Sequence, residues 1–277
     1  MNSASMDAHN NHPSQLAEFI LINYIAKKNV KGMKITVAEL IRVAVEENHK
    51  GTMVHLLDMP GAFTRAEKPD DAIAKVIYEA RMYERWIGKT HDKEYEVEIT
   101  QRETTNAQLD DGDTEILVSR DKDLDLNYFQ QLKMLALKSA KDFQKLYDSI
   151  PDKECDDISK ARTTFYGKVP SNAKEILFHV DKVNAYYLSR INIDFTGERN
   201  DLVANRIQSL ELIESDKEAM KNAIVFIDNE YWTTAKVLRR FIWHDRIHAK
   251  ALYRFAVKKW GHDCICDAFS FSMLNAV

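Results

Sequence analysis

Residues 233–260 read TTAKVLRRFIWHDRIHAKALYRFAVKKW. Val237, Phe241, His244, His248, Leu252 and Phe255 recur at spacings of four, three, four, four and three. That rhythm draws one stripe along an α-helix, and its members other than histidine are apolar. The spacing predicts a helix starting at Thr233 as N-cap and running to Trp260, with Gly261 as its stop. Arg239, Arg240, Arg246, Lys250 and Arg254 fall mostly on the other sides. Two positions that would normally hold leucine or isoleucine hold imidazoles instead, and both should point into a helical bundle. A lone core histidine can be satisfied by a hydrogen bond. A pair one turn apart can share a partner, of which a metal ion is the commonest.

Working outward, 172–191 predicts another helix, with Asn172 as cap and Glu175 as its box partner. Ile176, His179/Val180, Val183 and Tyr187 form its apolar stripe, so His179 lies on or beside a core face. Antiparallel packing would bring His179 opposite His244 and His248. Three imidazoles make an open site with a further position for water or substrate. Zn²⁺, Ni²⁺ or another imidazole-preferring divalent ion would suit it. The alternative is three bundle histidines satisfied by hydrogen bonds. The i, i+4 pair resembles the metal-binding helix of HExxH proteases, but Asp245 and Arg246 follow His244 where that motif has glutamate next. A protease mechanism is disfavoured.

Two further helical blocks complete a four-helix set. Leu126–Ile150 is ended by Pro151, and a charged block runs from Leu202 to about Phe226. The region before them mixes strand and helix signals. Ile41–Glu46, Thr52–Leu57 and Ala62–Arg65 read as strands, the last two separated by the Met59-Pro60-Gly61 turn. A helix opens at Pro69-Asp70-Asp71 and stops at Gly88, and Tyr95, Val97 and Ile99 alternate as a fourth strand with one wet face. The halves join near Gln108–Asp113, with Ser119–Asp125 as a charged connector. Fold class is therefore α+β: a small antiparallel sheet with one helix, then a four-helix bundle.

Composition sets the outer limits. The 277 residues carry Lys+Arg 39 against Asp+Glu 43, a formal net charge of −4, which promises no general attraction to nucleic acid or anionic membranes. Three cysteines (Cys155, Cys264 and Cys266) build no disulfide framework and fit a reducing, cytoplasmic setting. The segment Leu16–Ala26 is apolar but short, and its lysines follow it, so it reads as an amphipathic helix rather than a signal or a span.

The residues also carry a family resemblance. The segment Asn172–Val180, which contains His179, resembles the second helix of DinB-like (YfiT-type) bundles. Tyr231–Arg240 followed by His244 and His248 resembles the last helix of that family. The likeness covers roughly Leu126–Trp260. Thr52–Phe63, with the helix start at Asp70-Asp71, resembles a HicB-like small α/β domain. The implied organisation is an N-terminal extension (1–30), a HicB-like domain (31–120) and a DinB-like bundle (121–277). The resemblance implies a divalent metal on His179, His244 and His248. It also implies a low-molecular-weight thiol as co-substrate in some members, hence a metal-dependent S-transferase or a hydrolase acting on a small molecule. A non-catalytic metal-binding stress-response or interaction module is the alternative. HicB-like relatives also raise nucleic-acid or partner binding. No helix-turn-helix or ribbon-helix-helix segment accompanies the domain, so dimerisation, including a homodimer, or a lid over the bundle is favoured there.

Other residues receive plainer readings. Asp245 is expected in a surface ion pair rather than behind the ligands. Tyr186, Tyr187 and Trp243 are expected in the core or as the wall of a pocket over the metal. His55 is expected to be structural, and His9 and His12 belong to a polar tail. His262-x-Cys264-x-Cys266 is one ligand short of a closed zinc site.

Overall fold

The computed structural model describes residues 38–89, 93–106, 124–156, 163–164, 167–168, 170–198 and 201–272. The expected amphipathic helix at 16–26, His9, His12 and the join at 108–113 lie outside these residues.

The sheet begins with strand β1 (Glu39–Asn48), which turns back into β2 (Gly51–Leu56), and β2 pairs with β3 (Phe63–Ala66) across the Pro60-Gly61 turn. Strand β4 (Tyr95–Thr104) completes the order β3-β2-β1-β4. It runs parallel to β1, so the sheet is mixed rather than antiparallel. The cause is the connection. The chain leaves β3 through helices α1 (Pro69–Ile73) and α2 (Val76–Trp86) before returning as an edge strand, and such a crossover permits parallel pairing. The single helix expected here is divided because Lys75 N donates to Ala72 O, tightening the turn to i−3 between α1 and α2. Tyr95 and Val97 keep their side of β4 covered, whereas Ile99, expected on that side, is exposed where the pairing reaches the register shift at Val43/Ala44.

The helical part starts with α3 (Leu126–Ser149), capped by the Asp125 carboxylate, which accepts from Tyr128 N. Two short ribbon strands, β5 (Thr163–Thr164) and β6 (Gly167–Lys168), precede α4 (Ala173–Ser189). Asn172 caps α4 as the sequence predicts, accepting from Glu175 N at 2.9 Å. The Glu175 carboxylate reaches back one residue further than a simple capping box, accepting from Ser171 N.

Helix α5 (Leu202–Ser215) is shorter than the periodicity predicts. Asp216 ends it by accepting from Glu218 N and Ala219 N, a local alternative to helix continuation. The residues expected to continue it form a single 3₁₀ turn at Ala219–Lys221 and then the hairpin β7 (Val225–Ile227) and β8 (Glu230–Trp232). Asp228 and Asn229 both take positive φ, +54° and +62°, as a two-residue hairpin requires.

The last long element, α6 (Thr234–Trp260), is capped by Thr233 Oγ1 and stopped at Gly261, as the sequence predicts. It packs against α3 and α4, and α5 packs against the same two helices from the other side. Helices α4 and α6 run antiparallel, since His179 meets His248 while Tyr187, further along α4, meets Phe241.

The charged side of α6 departs from expectation. Arg239, Arg240, Arg246 and Lys250 are all buried. The turn between β2 and β3 lies against Ile242 and Trp243, α2 meets Arg246 and Lys250 through Glu79, and Arg240 lies against Glu230 and Trp232 of β8. Arg246 and Lys250 both bond the buried Glu79 of α2, at 2.8 and 2.5 Å. The Arg246 guanidinium also lies 5.1 Å from the ring of Tyr83 and 4.8 Å from that of Trp86. The Pro60-Gly61 turn rests directly on α6. A Cβ at Gly61 would come within 2.9 Å of Trp243 N and overlap Ile242. Residues Ala38–Val277 form one compact unit, and a single apolar cluster runs from Val43 and Trp86 through Phe129 and Phe143 to Leu252. Among the described residues no helix is long and apolar enough to cross a membrane.

Candidate metal centre

Each of the three histidines is placed by the apolar stripe that carries it. Ile176, Val180 and Val183 hold one face of α4 in the core, and this sets His179 half-buried at the edge of that face. Phe241 and Leu252 fix α6 above and below the pair, leaving His244 buried and His248 half-buried. The two helices bring all three rings together. Ring centres are 5.0 Å apart for His179 and His244, 4.6 Å for His179 and His248, and 4.4 Å for His244 and His248. One nitrogen from each ring lies within 4.8 Å of the others, close enough to hold one metal ion. His179 Nε2 and His244 Nε2 face each other at 3.2 Å. Two imidazole nitrogens on one tetrahedral zinc, at about 2.0–2.1 Å each, stand about 3.3 Å apart.

The surroundings of His179 and His244 disfavour their protonation. Burial holds the His244 imidazole well below its ordinary pKa, and the neighbouring His248 and His179, then Arg240 and Arg206, push in the same direction. Burial, helped by Lys182, lowers His179 too. Neutral imidazoles keep the lone pairs that a metal needs. One feature fits less well. His244 Nδ1 is buried and has no hydrogen-bond partner, whereas ligating histidines usually donate their second N–H to an acceptor.

Around the triad the walls are aromatic. Tyr187 stands edge-on to His244 at 6.1 Å and Trp243 lies at 6.4 Å. Tyr187 is buried and burial raises its hydroxyl pKa, while its neighbour Tyr186 is exposed at 46%. The Arg240 guanidinium lies 4.9 Å from the Trp243 ring, one turn before His244.

Asp245 is not a surface residue. It is fully buried and takes a bidentate pair from Arg206, at 2.9 and 3.1 Å, and a 2.5 Å hydrogen bond from Ser139 Oγ. Burial pushes its carboxyl up, and Arg206 and Ser139 pull against that. Arg206 goes on to donate to Asn184 Oδ1 at 2.9 Å and to Ala136 O at 3.0 Å. Its guanidinium also covers the Phe241 ring at 4.0 Å. Asn205 bonds Asp181. One polar network thus ties α3, α4, α5 and α6 together beside the histidines. Sequence reasoning missed Arg206, though a signal existed. Leu202, Arg206, Ser209 and Ile213 share one helical stripe, so an arginine stood where an apolar residue belongs.

The remaining cysteine-histidine string stays apart. Cys264 and Cys266 are exposed, and His262 Nδ1 lies 3.3 Å from Tyr253 Oη. Among the described residues, His179, His244 and His248 make the group able to hold an ion, and the H-x-C-x-C string does not. His55 is buried in β2, 3.5 Å from Glu46.

No protein-family model, no curated protein and no solved structure matches the chain.

Proposed function

We propose that the chain is a three-histidine metalloprotein in which His179, His244 and His248 hold one divalent ion, Zn²⁺ or Ni²⁺ by ligand chemistry. We further propose that it acts as a metal-dependent enzyme of the DinB-like kind, with a HicB-like region ahead of the bundle. The observation that carries the reading is the convergence of three imidazoles, two of them with facing nitrogens 3.2 Å apart. Histidines satisfied by separate hydrogen bonds have no reason to meet.

A bound ion would supply Lewis-acid chemistry at a position not taken by protein, toward a low-molecular-weight thiol or water. The protein's own residues do the rest. The network through Arg206 and Asp245 fixes the pitch of α6 next to the ligands. Tyr187 and Trp243 shield one side from water, and half-buried His179 and His248 leave the other side open to a small molecule.

The test is metal content and uptake. Protein purified without chelator should carry about one divalent ion per chain, or take up Zn²⁺ in calorimetry at that stoichiometry. His179→Ala and His244→Ala should each weaken binding by a hundredfold or more. Protein that neither carries nor takes up Zn²⁺ or Ni²⁺ sinks the reading. Metal binding without thiol transfer or hydrolysis across a panel of electrophiles would leave the centre and remove the enzyme.

A further inference from the structure

One nitrogen of the histidine cluster is left unserved. His244 Nδ1 is buried and has no hydrogen-bond partner among the described residues, while His244 Nε2 faces His179 Nε2 at 3.2 Å. A neutral imidazole carries its proton on one ring nitrogen and a lone pair on the other. The two placements differ here. With the proton on Nε2, His244 donates to His179 Nε2, and Nδ1 presents a lone pair. With the proton on Nδ1, an N–H is buried without an acceptor.

The surroundings decide between them. Arg240 and Arg206, the cations that act on this ring, have donors only. The indole of Trp243, whose ring centre is 6.4 Å away, is likewise a donor. The adjacent carboxylate, Asp245, has its oxygens taken by Arg206 and Ser139. A lone pair is compatible with such neighbours and an N–H is not. The metal-free cluster therefore rests with the proton on His244 Nε2, in a hydrogen bond to His179.

Ligation reverses this. An ion between the facing nitrogens needs the lone pairs of both. The bond between His179 and His244 is then lost, and the His244 proton goes to Nδ1, where no described residue accepts it. Both costs fall on the loaded form. His179 and His248 are only half-buried, so the burden rests on His244. A missing acceptor behind a ligating histidine weakens metal binding by about tenfold to a hundredfold.

We infer, on the metal reading above, that the centre is an exchangeable one. It takes up and gives back its ion as supply changes, and the hydrogen bond between His244 and His179 is its metal-free resting state.

The experiment uses the full chain labelled with ¹⁵N at its nine histidines. Long-range ¹H–¹⁵N correlation shows which ring nitrogen carries each proton, and His244→Ala, or His244→Gln should that variant not fold, identifies the His244 signals. The metal-free chain should hold the His244 proton on Nε2, and one equivalent of Zn²⁺ should move it to Nδ1. Zinc is then partitioned between the unaltered chain and an equimolar amount of metal-free carbonic anhydrase, a three-histidine zinc site with its outer hydrogen bonds in place. Most of the zinc should pass to carbonic anhydrase, as a difference of tenfold or more requires. A His244 proton already on Nδ1 without metal, or zinc shared equally or kept by the chain, overturns exchangeability and leaves the metal centre standing. Failure to take up zinc at all removes the centre itself, and its exchange with it.

Discussion

At the residue scale, the most informative positions are those where one side chain stands against its surroundings. Gly61 is one. It holds φ near +80° and leaves no room for a Cβ against Trp243 N and Ile242. Gly61→Ala should therefore destabilise the protein by about 2 kcal/mol or more, read from chemical denaturation, through backbone strain and overpacking together. The histidines are another such case, and they were legible: imidazoles on an apolar stripe announce themselves. Asp245 was not. Its neighbour-to-ligand position was visible, but its burial depends on Arg206, 39 residues away in sequence, and pairwise periodicity within one helix cannot report a partner on another.

At the scale of elements, caps read well and helix ends read poorly. Asn172, Thr233 and Gly261 act as the sequence predicts because capping is a contact among residues three or four apart. Thr233→Ala should cost about 1 kcal/mol, measured by thermal or urea unfolding. The charged helical block expected to run on to about Phe226 ends at Ser215, because Asp216 and the Asp228-Asn229 turn decide against it locally. The parallel placement of β4 was illegible for another reason: alternation identifies a strand but says nothing about its direction.

Helices α2 and α6 are joined by a buried trio of one carboxylate and two cations. Burial works to raise the Glu79 carboxyl, but Lys250 and Arg246 overcome it and hold the group below its ordinary value. Burial pulls Lys250 down to about 8, against the support of Glu79. Glu79→Gln strands two buried cations among aromatic rings and should cost about 3–5 kcal/mol. Lys250→Met leaves Glu79 paired with Arg246 and should be far milder. Paired urea titrations of the two variants check the order.

At the scale of the whole molecule, the same trio shapes the response to pH. In the unfolded chain Lys250 keeps its proton up to about pH 10.4. Folded, it releases the proton near 8. Between those values the unfolded state binds more protons, so this group makes stability climb as pH rises from about 8 to 10. Below 8 the burial of its charge is a standing penalty. Denaturation midpoints measured across pH 7–10 should show the rise, and Lys250→Met should flatten it.

The network through Arg206 sets a comparable test for the four-helix set. Asp245→Leu alone should destabilise by about 3–5 kcal/mol by leaving a buried guanidinium unmatched. Arg206→Met combined with Asp245→Leu should recover much of the loss. An additive double variant would mean that the two residues are not acting as a pair.

The burial of most of α6 has a kinetic corollary. Its bonds to α2 close a span of 167 residues between Glu79 and Arg246. Contacts that distant are entropically expensive to form early, so folding should be slow for a chain this rich in helix. Until α6 docks, the aromatic rings of α2 and the inner sides of α3 and α4 lack their common partner. The helix that completes the core is also the one that carries His244 and His248. Assembly of the three-histidine cluster and collapse of the core are then a single event, and any ion captured by the docked helix would act as a latch on the last step of folding.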